Sequence, residues 1–136
     1  MYEINTKPTN VSVRDFIESI PDEQKRKDSI QLVEMMSELT REDPVLWGSS
    51  IIGFGRMTYQ YESGHSGETF LVGFSPRKQN LTIYAASGWK GREDVLARLG
   101  KCKTSKVCLY INRLSQVDIG VLREILIQSL IDPTVC

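Results

Sequence analysis

The sequence predicts an α+β fold, in which an antiparallel β-sheet is flanked by helices near the two ends of the chain. Apolar residues recur at helical spacing near both ends and alternate with a period of two in the middle. Turn residues separate the short alternating runs, which is typical of an antiparallel meander. These two observations together favour helices that enclose a sheet.

Two helices are predicted before Pro44. Ser12 can cap a short helix over VRDFIESI, because Asp15 follows it by three residues and Pro21 prevents the helix from continuing. Asp22 can cap a second helix that runs to Thr40. The apolar residues of this helix that recur at helical spacing are expected to face the core: Ile30, Leu32, Val33, Met35, Met36 and Leu39.

The central part of the chain is predicted to form the sheet. The glycines of VLWGSSIIGFG indicate a turn that enters a strand. Residues 57–61, 70–74 and 81–85 alternate as three strands, joined by the turns SGHSG and SPRKQN, and VCLYIN is a later strand. We expect one core to contain Phe70, Val72, Phe74, Ile83, Leu109 and Ile111.

Two further helices are predicted after the meander. Residues 91–99 can form a short helix that ends at Gly100. Ser115 is expected to cap the last helix, which ends near Pro133. Its broad apolar face carries Ile119, Leu122, Ile125, Leu126 and Leu130.

The length and the cysteine content predict a single soluble domain in the cytoplasm. A chain of 136 residues can bury a continuous core without disulfides or metals, within one domain over residues 1–136. No apolar run approaches the roughly 20 residues that span a bilayer, and the first residues lack the apolar region of a secretory signal. The three cysteines form no C-x-x-C pair, which suits a reducing compartment.

The net charge of the chain is zero, but its central segment is basic. Residues 1–55 carry six Lys and Arg against ten Asp and Glu, residues 56–113 carry ten against four, and residues 114–136 carry one against three. The regional charges are therefore −4, +6 and −2. Such an asymmetry can mark a binding face, although the same charges can also be distributed over a solvated surface.

Two basic loops are the candidate binding site. The SPRKQN turn and the KCKTSK loop supply the candidate anion ligands Arg77, Lys78, Lys101, Lys103, Thr104, Ser105 and Lys106. Because cations, hydroxyls and backbone amides together bind anions, these loops would recognise a phosphate or a carboxylate if they share one end of the sheet. The alternative is that Pro76 only shapes a turn and that the lysines only discourage edge association.

Four segments of the chain resemble the YdhG-like family of uncharacterised domains. They are GFG, YQYESGHSGE, VGFSPRKQNLTIY and LGKCKTSKVCLYINRLSQVDIGVLRE, and the resemblance covers residues 11–130. It implies a compact intracellular domain without defined catalytic residues. One member of the family is described as a frataxin-like iron chaperone, so the resemblance also implies weakly bound iron as an alternative cofactor.

That alternative would require hard oxygen ligands. Glu34, Glu38, Glu42 and Asp43 lie in the latter part of the second helix and just after it, and could hold an iron ion weakly. The competing interpretation is a solvated acidic face. His65 is the only histidine and lies in the SGHSG turn, which limits metal and nucleophile chemistry.

Other chemistry has weaker support in the sequence. Neighbouring lysines could lower the thiol pKa of Cys102 and make it reactive. Tyr59, Tyr61 and Tyr84 could stack nucleic-acid bases if they are exposed, but the neutral chain has no recognisable nucleic-acid-binding motif. The main expectation is a small binding or accessory domain with an anionic ligand or a protein partner. An iron chaperone and an enzyme of unidentified activity are the alternatives.

Overall fold

The computed structural model describes residues 8–60, 66–85, 88–89, 91–105 and 107–131. The helices within these ranges are α1 (Val13–Glu18), α2 (Glu23–Thr40), α3 (Glu93–Leu99) and α4 (Ile119–Ile131), and a 3₁₀ turn (Leu114–Gln116) precedes α4. The strands are β1 (Val45–Trp47), β2 (Ile51–Phe54), β3 (Met57–Gln60), β4 (Ser66–Thr69), β5 (Val72–Pro76), β6 (Leu81–Ala85), β7 (Lys103–Thr104) and β8 (Cys108–Ile111). The predicted α+β fold class is confirmed.

The strands form two sheets rather than one continuous meander. A six-stranded antiparallel sheet has the order β1–β2–β5–β6–β8–β7, while β3 and β4 pair with each other in a separate two-stranded sheet. The predicted meander is therefore only partly right, because β2 and not β3 lies beside β5. The chain leaves strand geometry between Thr69 and Val72, where a bend at Leu71 separates the two-stranded hairpin from the main sheet.

The caps of the first two helices follow the sequence. The Ser12 hydroxyl accepts a hydrogen bond from the Asp15 backbone N–H at 3.2 Å. The Asp22 carboxylate accepts one from the Gln24 backbone N–H at 2.9 Å. These bonds satisfy N–H groups that have no partner within the helix, so both predicted starts are confirmed.

Two expectations for the helices are wrong. Ile30 is 48% exposed, because the buried stripe of α2 passes through Leu32 and Met36 instead. Ser115 lies within the 3₁₀ turn, and the side chain of Asp118 caps the last helix by accepting from the Val121 backbone N–H at 3.1 Å. The insertion of the 3₁₀ turn moves the start of α4 beyond Ser115.

The main core lies between the helices and one face of the six-stranded sheet. It contains five of the six predicted core residues, all buried: Val72, Phe74, Ile83, Leu109 and Ile111. The sixth, Phe70, packs on the opposite face with Trp47, Tyr84 and Cys108. Period-two alternation predicts the wrong side for Phe70, because the bend at Leu71 interrupts the strand before Val72.

The face opposite the helices is called the second face here. Because side chains alternate along a strand, it is formed by the residues that alternate with the main core: Val45, Trp47, Ile51, Gly53, Gly73, Ser75, Thr82, Tyr84, Lys103, Cys108 and Tyr110. The Phe70 ring lies over the paired glycines, where a Cβ on Gly53 would come within 2.8 Å of it. Its edge contacts with Trp47 and Tyr84, at centroid distances of 5.4 and 5.8 Å, complete a small second core.

A buried carboxylate joins α2 to the start of the 3₁₀ turn. Asp28 is 4% exposed. Its Oδ1 accepts from the Gln24 amide at 2.8 Å, and its Oδ2 accepts from the Leu114 backbone N–H at 3.2 Å. This carboxylate thereby satisfies a backbone N–H that is 86 residues away along the chain.

Candidate functional site

The SPRKQN segment is a turn that joins two hydrogen-bonded strands. Pro76 at the end of β5 pairs with Leu81 at the start of β6. Lys25, in the first turn of α2, donates to the backbone carbonyls of both Arg77 and Lys78. The turn is therefore anchored to the helix layer through its backbone, and this leaves its two basic side chains for other contacts.

The Arg77 guanidinium extends over the second face. Its Nη2 donates to the hydroxyl of Tyr84 at 2.7 Å. Tyr84 is 4% exposed and its ring is held against Phe70, so the hydroxyl is a fixed acceptor. A turn arginine that the sequence predicts as a candidate anion ligand is thus oriented by a buried tyrosine.

The second basic loop divides between the two faces of the sheet. Lys103 pairs with Tyr110 and Thr104 pairs with Leu109, so Lys103 lies on the second face and Thr104 on the side of the main core. The Ser105 hydroxyl lies 3.2 Å from the Tyr110 hydroxyl, on the second face. Lys101 is exposed. Lys106 lies outside the described residues.

One row of paired residues connects the two basic segments. Ser75, two residues before Arg77, pairs with Thr82 on β6. Thr82 pairs with Tyr110 on β8, which pairs with Lys103 on β7. At about 4.8 Å per strand, the Cα atoms of Ser75 and Lys103 are about 14 Å apart, and β6 and β7 are about 10 Å apart. Because Arg77 reaches Tyr84 on β6, both basic segments contribute a cation to the same face.

The cations at this end of the sheet have no carboxylate partner in the described part of the chain. The ion pairs among the described residues join Arg14 to Glu18, Lys27 to Glu23, Arg56 to Glu68, Arg98 to Glu124 and Arg123 to Glu38. None of them includes Arg77, Lys78, Lys101 or Lys103. Within the same ranges, the Nη1 and Nε atoms of Arg77 also make no hydrogen bond.

The four carboxylates of the alternative metal site do not form a binding group. Glu38 accepts from the Arg123 guanidinium at 2.7 Å across the α2–α4 contact. Glu34, Glu42 and Asp43 are exposed. Within the described ranges, no group of three or more His, Cys, Asp or Glu side chains is placed to hold a metal ion. His65 lies outside these ranges.

The cysteine and tyrosine interpretations also change. Cys102 is half-buried against the main core, and desolvation by burial raises the pKa of its thiol. The expected lowering of that pKa by neighbouring lysines is therefore wrong. Tyr84 is buried and cannot stack with a base. The structure describes neither the Tyr59 side chain nor any part of Tyr61.

Sequence reasoning misses two residues of this site, Tyr84 and Tyr110. The strand alternation contains a signal for Tyr84, because it places Tyr84 on the opposite face from Ile83. The signal for Tyr110 requires the strand register, since only the pairing with both Thr82 and Lys103 places it between the two basic segments.

Comparisons with protein-family models, with curated proteins and with solved structures give no match to this chain. Among the described helices, none combines the length and the apolar composition needed to cross a membrane.

Proposed function

We propose that this chain is a binding domain of the YdhG-like family that recognises a small anion on the second face, between the β5–β6 turn and β7. One observation carries the proposal. Arg77, held in place by Tyr84, and Lys103 extend from the same face, and neither has a carboxylate partner among the described residues. Unneutralised cations that share one surface produce a positive field that attracts anions.

The two cations would contribute in different ways. One N–H of Arg77 Nη2 is donated to Tyr84, and the second N–H of Nη2 still forms a planar edge with Nη1 or Nε that matches two oxygens of a phosphate or a carboxylate. Lys103 is exposed and would act as an adaptable point charge. Because the charges are exposed, salt should weaken the binding, since the Debye length is about 8 Å at physiological ionic strength.

A cytoplasmic location and a non-catalytic role belong to the same proposal. Cys102 and Cys108 are free thiols, which suits a reducing compartment. The iron alternative has no comparable support, because the candidate carboxylate Glu38 is paired with Arg123.

The test is calorimetric titration with inorganic phosphate at low ionic strength. We expect the parent protein to bind phosphate and Arg77→Ala to lose about tenfold or more in affinity, because a hydrogen-bonded charge is removed. Lys103→Ala should weaken phosphate binding less than Arg77→Ala does. Arg77→Lys should not recover the affinity of the parent protein, because a lysine offers no planar fork.

Arg14→Ala is the matched control. It removes the same charge from the exposed surface of α1, where Arg14 only approaches Glu18 at 4.0 Å. An equal loss of affinity in Arg14→Ala and Arg77→Ala, or no binding by the parent protein, would overturn the proposed site.

A further inference from the structure

We propose that the ligand of this site carries a planar aromatic ring beside its anionic group, and that the ring packs on Tyr110. This inference rests on the proposed function and specifies the class of ligand: an aryl phosphate. Its basis is the position of Tyr110, which lies between the two basic segments on the floor of the second face.

The strand register fixes that position. Tyr110 on β8 pairs with Thr82 on one side and with Lys103 on the other. The Arg77 guanidinium lies against Tyr84, which is on the same strand as Thr82. An anion held jointly by the guanidinium and the Lys103 ammonium would therefore lie above β8, next to the Tyr110 ring.

The ring of Tyr110 is also held in place. Tyr110 packs against the buried cluster of Trp47, Phe70, Tyr84 and Cys108. Its hydroxyl is within hydrogen-bond distance of the Ser105 hydroxyl, at 3.2 Å. A ring that is held by packing and at its hydroxyl needs little further ordering when a ligand packs on it, which lowers the entropic cost of binding.

Tyr110 differs from the other aromatic residues around it in its exposure. The neighbouring rings of Trp47, Phe70 and Tyr84 are between 1% and 4% exposed, so they cannot accept a ligand ring. Tyr110 is only half-buried. Among the described aromatic residues of the second face it is the one that is not fully buried, and a cation without a carboxylate partner in the described ranges lies on each side of it.

Calorimetry with three probes tests the inference: inorganic phosphate, cyclohexyl phosphate and phenyl phosphate. If the ring packs on Tyr110, phenyl phosphate should bind about tenfold more tightly than inorganic phosphate, the scale of one base–aromatic stack. Cyclohexyl phosphate should gain less, because it is not planar. Equal affinity for phenyl and cyclohexyl phosphate would overturn the inference and leave the anion site intact.

Variants separate the ring from the charge. Tyr110→Leu should abolish the preference for phenyl phosphate and retain the affinity for inorganic phosphate, whereas Tyr110→Phe should keep the preference. Arg77→Ala should weaken all three probes together. If Tyr110→Leu still prefers phenyl phosphate, the ring of the ligand packs on a residue other than Tyr110, and the inference is wrong. Failure of the parent protein to bind any probe would overturn the proposed function and this inference with it.

Discussion

Asp28 shows how one side chain connects distant parts of the molecule. Its two carboxylate oxygens accept hydrogen bonds from Gln24 on its own helix and from the Leu114 backbone N–H. Because the group is 4% exposed, water cannot replace these bonds. The residue therefore ties α2 to the segment that leads into α4.

Asp28→Ala should lower the free energy of unfolding by about 2–3 kcal/mol, since it leaves a buried backbone N–H without an acceptor. Asp28→Asn should cost less, because its amide oxygen can still accept one bond. Urea denaturation of the two variants measures both effects. A change below about 0.5 kcal/mol for Asp28→Ala, the range of ordinary surface substitutions, would contradict this role.

Cys102 is expected to be a slow nucleophile. Burial raises the pKa of its thiol, so a smaller fraction is present as thiolate at neutral pH than in a free thiol, and the thiolate forms only as the pH rises further. At pH 7.5, iodoacetamide should modify Cys102 more slowly than it modifies glutathione. Peptide mapping by mass spectrometry measures that rate. Modification faster than glutathione would show that the neighbouring lysines dominate instead.

At the level of secondary-structure elements, β5 is the strand on which the main core depends. It lies between β2 and β6 and contacts both α2 and α4. Phe74 projects from it and is fully buried. The two-residue period and the apolar content of residues 72–76 are sufficient to predict this orientation from the sequence.

Phe74→Ala should cost about 3–5 kcal/mol in chemical denaturation, because it removes a large buried ring and leaves a cavity. Ile127→Ala is a control on the outer surface of α4, where the side chain is 38% exposed, and it should cost much less. A loss below about 1 kcal/mol for Phe74→Ala would show that this strand does not support the core.

The elements that the sequence predicts well are those with strong local signals. Ser12 and Asp22 cap helices because a short polar side chain can satisfy the first free backbone N–H groups, and this depends only on neighbouring residues. Phe70 and Ser115 are predicted wrongly because their positions depend on interruptions, the bend at Leu71 and the 3₁₀ turn before α4. Tertiary packing decides such interruptions, and periodicity does not reveal them.

The sequence predicts some features of the candidate site and not others, and the difference is again whether a feature depends on neighbouring residues or on distant ones. The basic residues of the two loops are visible in the sequence, and so is the turn at Pro76. Which of them share a face depends on the order β5–β6–β8–β7, which joins segments far apart in the chain. That order places Lys103 on the same face as Tyr84, the fixed partner of Arg77, while alternation along β7 places Thr104 on the other face.

On the scale of the whole molecule, the described cations in the basic middle of the sequence fall into two groups, those that form an ion pair with a carboxylate and those that do not. Arg56 and Arg98 lie within residues 56–113, but each is neutralised by a carboxylate, Glu68 at 3.7 Å and Glu124 at 3.0 Å. The charges without such partners in the described ranges include Arg77 and Lys103. Part of the regional charge of +6 therefore lies on the second face, at the β5–β6 turn and on β7.

The most direct test of this account is a titration of the ¹⁵N-labelled protein with inorganic phosphate, followed by ¹H–¹⁵N correlation spectra at low salt. We predict that the backbone amides of Arg77, Lys78, Lys103 and Tyr110 shift together with one dissociation constant, and that the shifts weaken as salt is added. The amides around Glu34 and Ile127, on the helix layer, should not move. Shifts confined to the helix layer, or no saturable shift at Arg77, would contradict the central claim that the second face is the anion-binding surface.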